Sequence, residues 1–167
     1  MAIPSDNGTK TRTLTVKDLV VLCRNLNAVK AKYVVIGGFA VNYYGFARMT
    51  IDIDILVDPS EENIVKIKKG LEYLPEKAAA QIAPGDIEKY KVVKVSDEVV
   101  IDIMENACEV TYKTAGIENF AFKGVTIPIA NLPTLIKTKQ HSVRPKDKED
   151  LKYLREIKKQ NKTGGKK

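Results

Sequence analysis

Aspartate residues interrupt two stretches of the chain that otherwise have the composition of buried β-strands. Residues 51–57 are Ile-Asp-Ile-Asp-Ile-Leu-Val, and residues 99–104 are Val-Val-Ile-Asp-Ile-Met. Asp is disfavoured in strands, so these carboxylates constrain the fold more than any other feature. Residues spaced i and i+2 project from the same face of a strand with Cα atoms about 7 Å apart, so Asp52 and Asp54 can converge on one small volume.

A third carboxylate, Asp102, would join this pair if its strand lies beside the first strand. Three carboxylates so close together would repel one another unless cations bind among them. Oxygen ligands suit Mg²⁺ or Mn²⁺, and two such ions about 3.5–4 Å apart can stabilise both the attacking and the leaving oxygen of a phosphoryl displacement. The alternative for Asp52 and Asp54 alone is the solvated face of an amphipathic sheet.

A pair of glycines follows another predicted strand. Residues 33–36 (Tyr-Val-Val-Ile) predict a short buried strand that ends at Gly37 and Gly38, and residues 39–44 predict a short helix. Free backbone N–H groups and the helix dipole favour a phosphate at such a place, and the missing Cβ atoms let a ligand approach closely. The pair matches neither the dinucleotide-binding fingerprint nor a P-loop, and taken alone it indicates only a turn.

The remaining patterning predicts one α/β domain. We predict helices at 15–32, 60–71, from residue 131 or 134 to about 141, and 146–158, and strands at 50–57, 90–95, 98–104, 120–122 and 125–127. The strands at 90–95 and 98–104 are predicted to pair antiparallel around a turn at 96–97, and Pro128 to close the hairpin formed by 120–127. We expect residues 1–14 to be a flexible lead-in, 15–158 the folded domain and 159–167 a disordered basic tail.

The excess positive charge lies at the C-terminal end. Of the formal net charge of +7, residues 137–167 carry 12 basic and 4 acidic residues, whereas residues 1–136 carry 16 and 17. Such an end can attract RNA or an acidic partner, although a solvated helix face with a lysine tail has the same composition. The longest apolar run covers only residues 19–23, and residues 1–13 lack a signal-peptide pattern. We therefore expect a cytoplasmic protein with no membrane partner.

The segment GGFAVNYYGFARMTIDIDILVD (37–58), with VVIDIM (99–104) further along the chain, resembles the nucleotidyltransferase superfamily with the DNA polymerase β-like fold. That family has a strand, Gly-Gly or Gly-Ser, a helix, a strand with D-x-D, and a third Asp on a later strand. The R-x-T-x-D-I-D version and the closing segment LIKTKQHSVRPKDKED resemble small bacterial and archaeal proteins that include the AbiEii-type toxins. The resemblance covers about residues 33–154. It implies a short mixed β-sheet with helices packed on one face and an acidic cleft on the other.

The resemblance also implies a reaction, in which a nucleoside monophosphate passes from a nucleoside triphosphate (NTP) to an acceptor hydroxyl with release of pyrophosphate. Asp52 and Asp54 would bind two ions, Mg²⁺ or Mn²⁺, together with the NTP. Asp102 would bind the catalytic ion and help to deprotonate or orient the hydroxyl for in-line attack on the α-phosphorus. Gly37 and Gly38 would face the triphosphate. Gly38 stands where many relatives have Ser, so a hydroxyl contact to phosphate is missing.

Three further residues complete the nucleotide-binding set that we predict. Arg48 and Thr50 could reach the phosphates or the acceptor, with an exposed turn arginine and a strand-start threonine as the alternative. Lys139 matches the family's lysine and would neutralise charge on the leaving group, with a solvated helix lysine as the alternative.

Other residues of the resembling segments have expected roles in structure. We expect Asp147 and Asp150 to be mainly structural, and Lys146 and Asp150 have the i, i+4 spacing of a helix-surface ion pair. Tyr43 and Tyr44 could stack on a base, but packing against the sheet is the expected role.

The acceptor stays open at this point: RNA, a protein or a small molecule, held with the help of a second subunit or an antitoxin-like partner. One alternative function is a catalytically inactive nucleotide-binding module, such as a regulator or one half of a toxin–antitoxin pair. Another is an RNA-binding protein that uses the basic residues 137–167.

Overall fold

A computed structural model describes residues 2–3 and 11–163 of the chain. The helices are α1 (Val16–Ala28), α2 (Gly37–Tyr43), α3 (Glu61–Gly70), α4 (Asp86–Lys89), α5 (Leu132–Lys139) and α6 (Pro145–Thr163), with a 3-10 helix at Ala78–Gln81. The strands are β1 (Ala2–Ile3), β2 (Tyr33–Ile36), β3 (Ile53–Val57), β4 (Val93–Ser96), β5 (Val100–Met104), β6 (Ile117–Phe122) and β7 (Val125–Ala130).

The strands form one mixed sheet in the order β1-β4-β5-β3-β2-β7-β6. Strands β3 and β5 are parallel neighbours, with Asp54 directly beside Asp102. Strand β4 pairs antiparallel with the other side of β5, and β2 pairs antiparallel with the other side of β3. The predicted α/β class is confirmed, and the acids lie in the middle of the sheet.

One face of the sheet forms the main apolar layer under helices α1 and α3. Ile53 and Ile55 of β3 and Ile101 and Ile103 of β5 are fully buried on this face. Each fully buried side chain of this size stabilises the fold by about 1.5–3 kcal/mol. Helix α1 is fixed to the same face by a 2.9 Å hydrogen bond that Tyr33 donates to the Asn27 side chain. Because side chains alternate along a strand, Asp54 and Asp102 point to the opposite face.

Capping residues set the starts of the helices that surround the sheet. Thr15 and Asp18 form a capping box at the start of α1. The Ser60 hydroxyl accepts a hydrogen bond from the Asn63 N–H at the start of α3, and the Asn131 side chain caps α5. Because Asn131 fixes the start of α5, it also fixes the position of Lys139 at the C-terminal end of that helix, beside the acidic face.

Several element boundaries differ from the prediction. Strand β3 begins at Ile53 rather than residue 50, which leaves Asp52 in a bend and Ile51 70% exposed. Pro128 does not close the hairpin, because a missing N–H removes at most one ladder hydrogen bond and β7 continues to Ala130. Helix α1 ends at Ala28, ahead of a left-handed backbone conformation at Lys30.

The predicted terminal segments also contain regular structure. Residues 2–3 of the predicted lead-in form β1, which pairs parallel with β4. Residues 159–163 of the predicted disordered tail continue helix α6. The remainder of both predictions, residues 1, 4–10 and 164–167, lies outside the described residues.

Candidate active site

The predicted carboxylates meet at one point on the open face of the sheet. Asp54 and Asp102 are neighbours on parallel strands, and Asp52 lies in the bend that precedes β3. Each of the three offers a carboxylate oxygen, and these oxygens all lie within 4.8 Å of one another. We call Asp52, Asp54 and Asp102 the acidic cluster.

The protonation equilibria of the acidic cluster reflect its crowding. Burial, followed by the charges of Asp52 and Asp102, raises the pKa of Asp54 well above its ordinary value. Burial and the charge of Asp102 likewise raise the pKa of Asp52. A divalent cation among these oxygens would relieve the repulsion, and an all-oxygen donor set fits Mg²⁺ or Mn²⁺. The residues present therefore fit the predicted metal.

Lys94 is a member of the site that the sequence prediction missed. It lies on β4 directly opposite Asp102, with its Nζ 2.7 Å from Asp102 Oδ1 and 3.9 Å from Asp52 Oδ2. One ammonium against three carboxylates leaves an excess of negative charge, and the Lys94 side chain is 40% exposed, so it has room to move. The signal in the sequence was a lysine between the two buried valines Val93 and Val95.

The glycine pair, Gly37 and Gly38, lies against Asp54 of the acidic cluster and against Thr50, which precedes β3. Gly37 has a φ of +71°, and a Cβ atom at this position would overlap the Asp54 carboxylate. A Cβ atom at Gly38 would lie 2.6 Å from the Thr50 Cβ. Thr50 therefore occupies the space that a serine at position 38 would need, which explains this departure from the family pattern.

Arg48 and Thr50 line the cleft, but most of their donors already have partners. Arg48 donates from Nε and Nη2 to the two carboxylate oxygens of Asp150, at 2.8 and 2.9 Å, and from Nη1 to the Met49 carbonyl. The Thr50 hydroxyl donates to the Asp52 carbonyl at 2.9 Å. Both side chains thus hold the wall of the cleft in place.

Lys139 is buried rather than solvated. Its side chain is 7% exposed, and its Nζ lies 3.1 Å from Asp147 and 3.0 Å from Asp150. Asp150 is fully buried between Lys139 and Arg48, so the structural role expected for this acid is confirmed, with Arg48 and Lys139 as its partners instead of Lys146. We call Arg48, Lys139, Asp147 and Asp150 the ion network.

Asp147 completes the ion network at the start of α6. Burial acts to raise its pKa, but hydrogen bonds from Ser142, Lys139 and Arg144 outweigh burial and lower the pKa to about 2. Asp147 therefore stays ionised at neutral pH and holds Lys139 at the cleft.

Two adjoining depressions form the cleft, with volumes of about 300 and 450 Å³. Both are lined by Gly37, Asp54, Asp102, Lys139 and Arg144. The structure thus brings together the predicted catalytic residues, the glycine pair and Lys139, and it places Arg48 and Thr50 on the wall of the smaller depression.

Tyr43 and Tyr44 lie outside the residues that line these depressions. The Tyr43 ring stacks on Phe120 with centroids 4.6 Å apart, and the Tyr44 hydroxyl donates to Glu118 at 2.7 Å. Both tyrosines pack against the edge strand β6, which is the role that we expected for them.

With this geometry established, comparison with known proteins assigns the family. The model of a family described as nucleotidyl transferase of unknown function (DUF2204) matches residues 15–165. The chain belongs to this family. The superfamily inferred from the D-x-D and glycine motifs is confirmed, and the nucleotidyl transferase family supports a role in nucleotidyl transfer. No match was found among curated protein sequences.

Two solved structures share the fold. An antigenic nucleotidyltransferase-like protein from Paracoccidioides brasiliensis has a TM-score of 0.56 and 14% identity, over 87% of this chain and 78% of that protein. The lincomycin-bound lincosamide antibiotic adenylyltransferase LnuA has a TM-score of 0.53 and 18% identity, over 87% of this chain and 99% of that protein. These similarities confirm the predicted nucleotidyltransferase fold.

Among the residues that the structure describes, no helix combines sufficient length with sufficient apolar character to cross a bilayer.

Proposed function

We propose that this protein is a divalent-metal-dependent nucleotidyltransferase, which transfers a nucleoside monophosphate from an NTP to an acceptor hydroxyl and releases pyrophosphate. The observation that carries the proposal is the acidic cluster, whose three carboxylate oxygens lie within 4.8 Å of one another beside Gly37. Membership of a nucleotidyl transferase family supports the same conclusion.

In this proposal Asp52, Asp54 and Asp102 hold two ions, Mg²⁺ or Mn²⁺. When bound, such ions act as Lewis acids that stabilise negative charge on phosphate oxygens. Burial, followed by the charges of the neighbouring carboxylates, raises the pKa of Asp52 and Asp54. A cation bound among these oxygens would remove the repulsion between the carboxylates that the folded chain otherwise retains.

The chain's other residues bind and orient the NTP. Gly37 and Gly38 carry no side chain, so the triphosphate can approach the backbone at the start of α2. Lys139, held in the cleft by Asp147 and Asp150, places an ammonium where negative charge develops on the departing pyrophosphate. Arg48 and Thr50 form the wall on the nucleotide side.

The reaction that we propose is an in-line displacement. The acceptor oxygen forms a bond to the α-phosphorus, while the bond from that phosphorus to the bridging oxygen breaks and pyrophosphate departs with the electron pair. The Asp102 carboxylate takes the hydroxyl proton and passes it to solvent. Transfer then depends mainly on positioning and charge stabilisation, as in phosphoryl transfer generally.

The test is transfer from each labelled NTP to acceptors in a cell extract, with Mg²⁺ or Mn²⁺ and with a chelator. We expect Asp54→Asn to lower the transfer rate at least about 100-fold, as removal of a group that stabilises transition-state charge does. Asp86→Asn is the matched control, because Asp86 lies on α4 and its acceptor role toward the Ala83 N–H is retained by the amide.

Two outcomes would contradict the proposal. Transfer at an unchanged rate by the Asp54→Asn variant would exclude a catalytic role for the acidic cluster. Binding of NTP without transfer to any acceptor would instead support an inactive nucleotide-binding module.

A further inference from the structure

Helix α6 carries a line of cations along one side. Their spacing is four, four, three, four and three residues, which keeps successive members on the same side of a helix. The members are Arg144, which directly precedes α6, and Lys148, Lys152, Arg155, Lys159 and Lys162 of α6, and all six are exposed. At a rise of 1.5 Å per residue the line extends about 27 Å. We call these six residues the α6 stripe.

The α6 stripe begins inside the candidate active site. Arg144 lines both depressions of the cleft together with Asp54 and Asp102. The Lys148 N–H donates to the Arg144 carbonyl at 3.1 Å, so these two residues lie on successive turns of one continuous surface. A ligand that follows the stripe is therefore led to the acidic cluster.

The orientation of the stripe is fixed by the opposite face of the helix. Asp150 and Leu154 are fully buried on that face, where Asp150 pairs with Arg48 and Lys139. Rotation of α6 would bury cations and expose the ion network, so the stripe stays on the surface.

Ion pairs balance only part of the charge of the stripe, where Arg144 pairs with Asp147 at 3.1 Å. Within the part of the chain that the structure describes, Lys148, Lys152, Arg155 and Lys162 form no ion pair. The acids Glu149 and Glu156 lie beside the stripe, three or four residues from Lys152, and they are too few to balance its six cations. A surface of this kind is complementary to a polyanion.

Two observations decide which polyanion fits. A helix that binds in the membrane surface needs an exposed apolar face, whereas the apolar residues Leu151, Leu154 and Ile157 of α6 pack against the core. The six cations recur regularly over the whole helix, and the aromatic residue of α6, Tyr153, lies on another side, where its ring stacks on Phe46. Regularly spaced phosphates match that arrangement, and an acidic protein surface has no such repeat.

We propose that the α6 stripe binds the phosphodiester backbone of a nucleic acid whose terminal hydroxyl enters the cleft as the acceptor. This inference rests on the proposed function, since it names the acceptor class of the same site. Because the stripe contacts phosphates alone, binding is independent of base sequence and depends steeply on salt.

The experiment compares the intact chain with two variants that each lose three positive charges. The stripe variant carries Lys148→Gln, Lys152→Gln and Arg155→Gln, and the control carries Lys17→Gln, Lys69→Gln and Lys113→Gln, all at exposed positions away from α6. Fluorescence anisotropy with a short RNA, and with DNA of the same sequence, measures binding at several salt concentrations without NTP.

We expect the stripe variant to bind RNA at least about tenfold more weakly and the slope of log K against log salt to fall by about one for each lost phosphate contact. The control variant keeps most of the affinity and of the slope. Binding of an NTP is unchanged in both variants. A parallel result with DNA identifies the backbone as the recognised group, and a strong preference for RNA adds the 2′-hydroxyl.

Equal loss of affinity in the stripe and control variants would overturn the inference, because net charge alone would then explain binding. Competition by polyglutamate or by phosphatidylserine vesicles at the same charge concentration would also overturn it. The Asp54→Asn variant separates the two proposals, since it should bind RNA normally even though transfer is lost. Transfer to a small molecule or a protein, unaffected in the stripe variant, would retain the proposed function and exclude the nucleic acid.

Discussion

The acidic cluster and the ion network both line one cleft, and both contain carboxylates, but their charges are balanced differently. In the ion network two cations balance two carboxylates, and Asp150 is fully buried between Arg48 and Lys139. In the acidic cluster three carboxylates have Lys94 as their close cation. The pKa of Asp147 is lowered to about 2, whereas the pKa of Asp54 is raised well above its ordinary value.

This contrast shows that burial acts to raise the pKa of both carboxylates, and that their partners decide whether this increase is reversed or reinforced. A balanced set of buried charges ties segments together, and it is strongly destabilised when one member is removed. An unbalanced set stores repulsion that a bound cation can relieve. We therefore expect substitutions in the two groups to change stability in opposite directions.

The largest effect is expected for Asp150→Asn. Loss of this charge leaves Arg48 and Lys139 without their shared partner, and breaking a buried ion pair in this way costs about 3–5 kcal/mol. Urea denaturation would measure the loss, with Glu149→Gln on the exposed side of the same helix as the control. A loss no greater than that of the control would show that the ion network contributes little to stability.

A smaller loss of stability is expected for Asp147→Asn. The free energy of unfolding should fall by about 2 kcal/mol at neutral pH, because hydrogen bonds to charged groups contribute about 1.5–3 kcal/mol each. Its folded pKa of about 2 lies below the ordinary value of 3.8. The stabilisation is therefore present above pH 3.8 and is lost as pH falls through about 2. Urea denaturation on acidification should show less loss in the variant than in the unmodified chain, and equal acid sensitivity would contradict the assignment.

Lys94→Met tests whether the Lys94 ammonium competes with a metal ion for the carboxylates of the acidic cluster. Removal of a charge a few ångströms from the metal ligands is worth on the order of 1 kcal/mol or more, so Mn²⁺ should bind about tenfold more tightly. Calorimetric titration of the unmodified chain, of Lys94→Met and of Lys69→Met would measure the change, since Lys69 lies on α3, away from the cleft. Unchanged or weaker Mn²⁺ binding in Lys94→Met would show that Lys94 does not compete with the metal.

The smallest effect, and the one of opposite sign, is expected for Asp54→Asn in the absence of divalent ions. Loss of one repelling charge should raise the free energy of unfolding by on the order of 1 kcal/mol. Because the folded pKa of Asp54 is raised, this gain is largest above that pKa and shrinks as pH falls through it. With saturating Mg²⁺, urea denaturation should show the unmodified chain to be more stable than Asp54→Asn, because only the unmodified chain keeps all three carboxylates of the metal site. If Asp54→Asn were less stable than the unmodified chain without metal, the carboxylates of the acidic cluster would not repel one another as we infer.

The acidic cluster was predictable because its signal is local. Asp52, Asp54 and Asp102 each stand in an apolar strand pattern, and strand alternation fixes the face on which Asp54 and Asp102 lie. The adjacency of β3 and β5 followed only from the family resemblance and was confirmed by the register of Asp54 with Asp102.

The ion network and Lys94 were indicated less clearly by the sequence than the acidic cluster was. Arg48 and Asp150 are 102 residues apart, and periodicity carries no information about a contact at that separation. Lys94 was missed because the predicted turn at 96–97 gives a different register from the observed loop at 97–99, which places Lys94 opposite Asp102. Buried Asp97 organises that loop by accepting hydrogen bonds from the N–H groups of Glu76, Ala78 and Glu98, two of them distant in sequence.

The ion network also determines how much of the C-terminal region the fold requires. Arg48 precedes β3, Lys139 ends α5, and Asp150 belongs to α6, so one carboxylate joins segments from both ends of the chain. A shortened protein that stops before Asp150 would leave Arg48 without its carboxylate partner and Lys139 with Asp147 alone. The first turns of the last helix are thus an integral part of the minimal folding unit, and truncation is safe only beyond them.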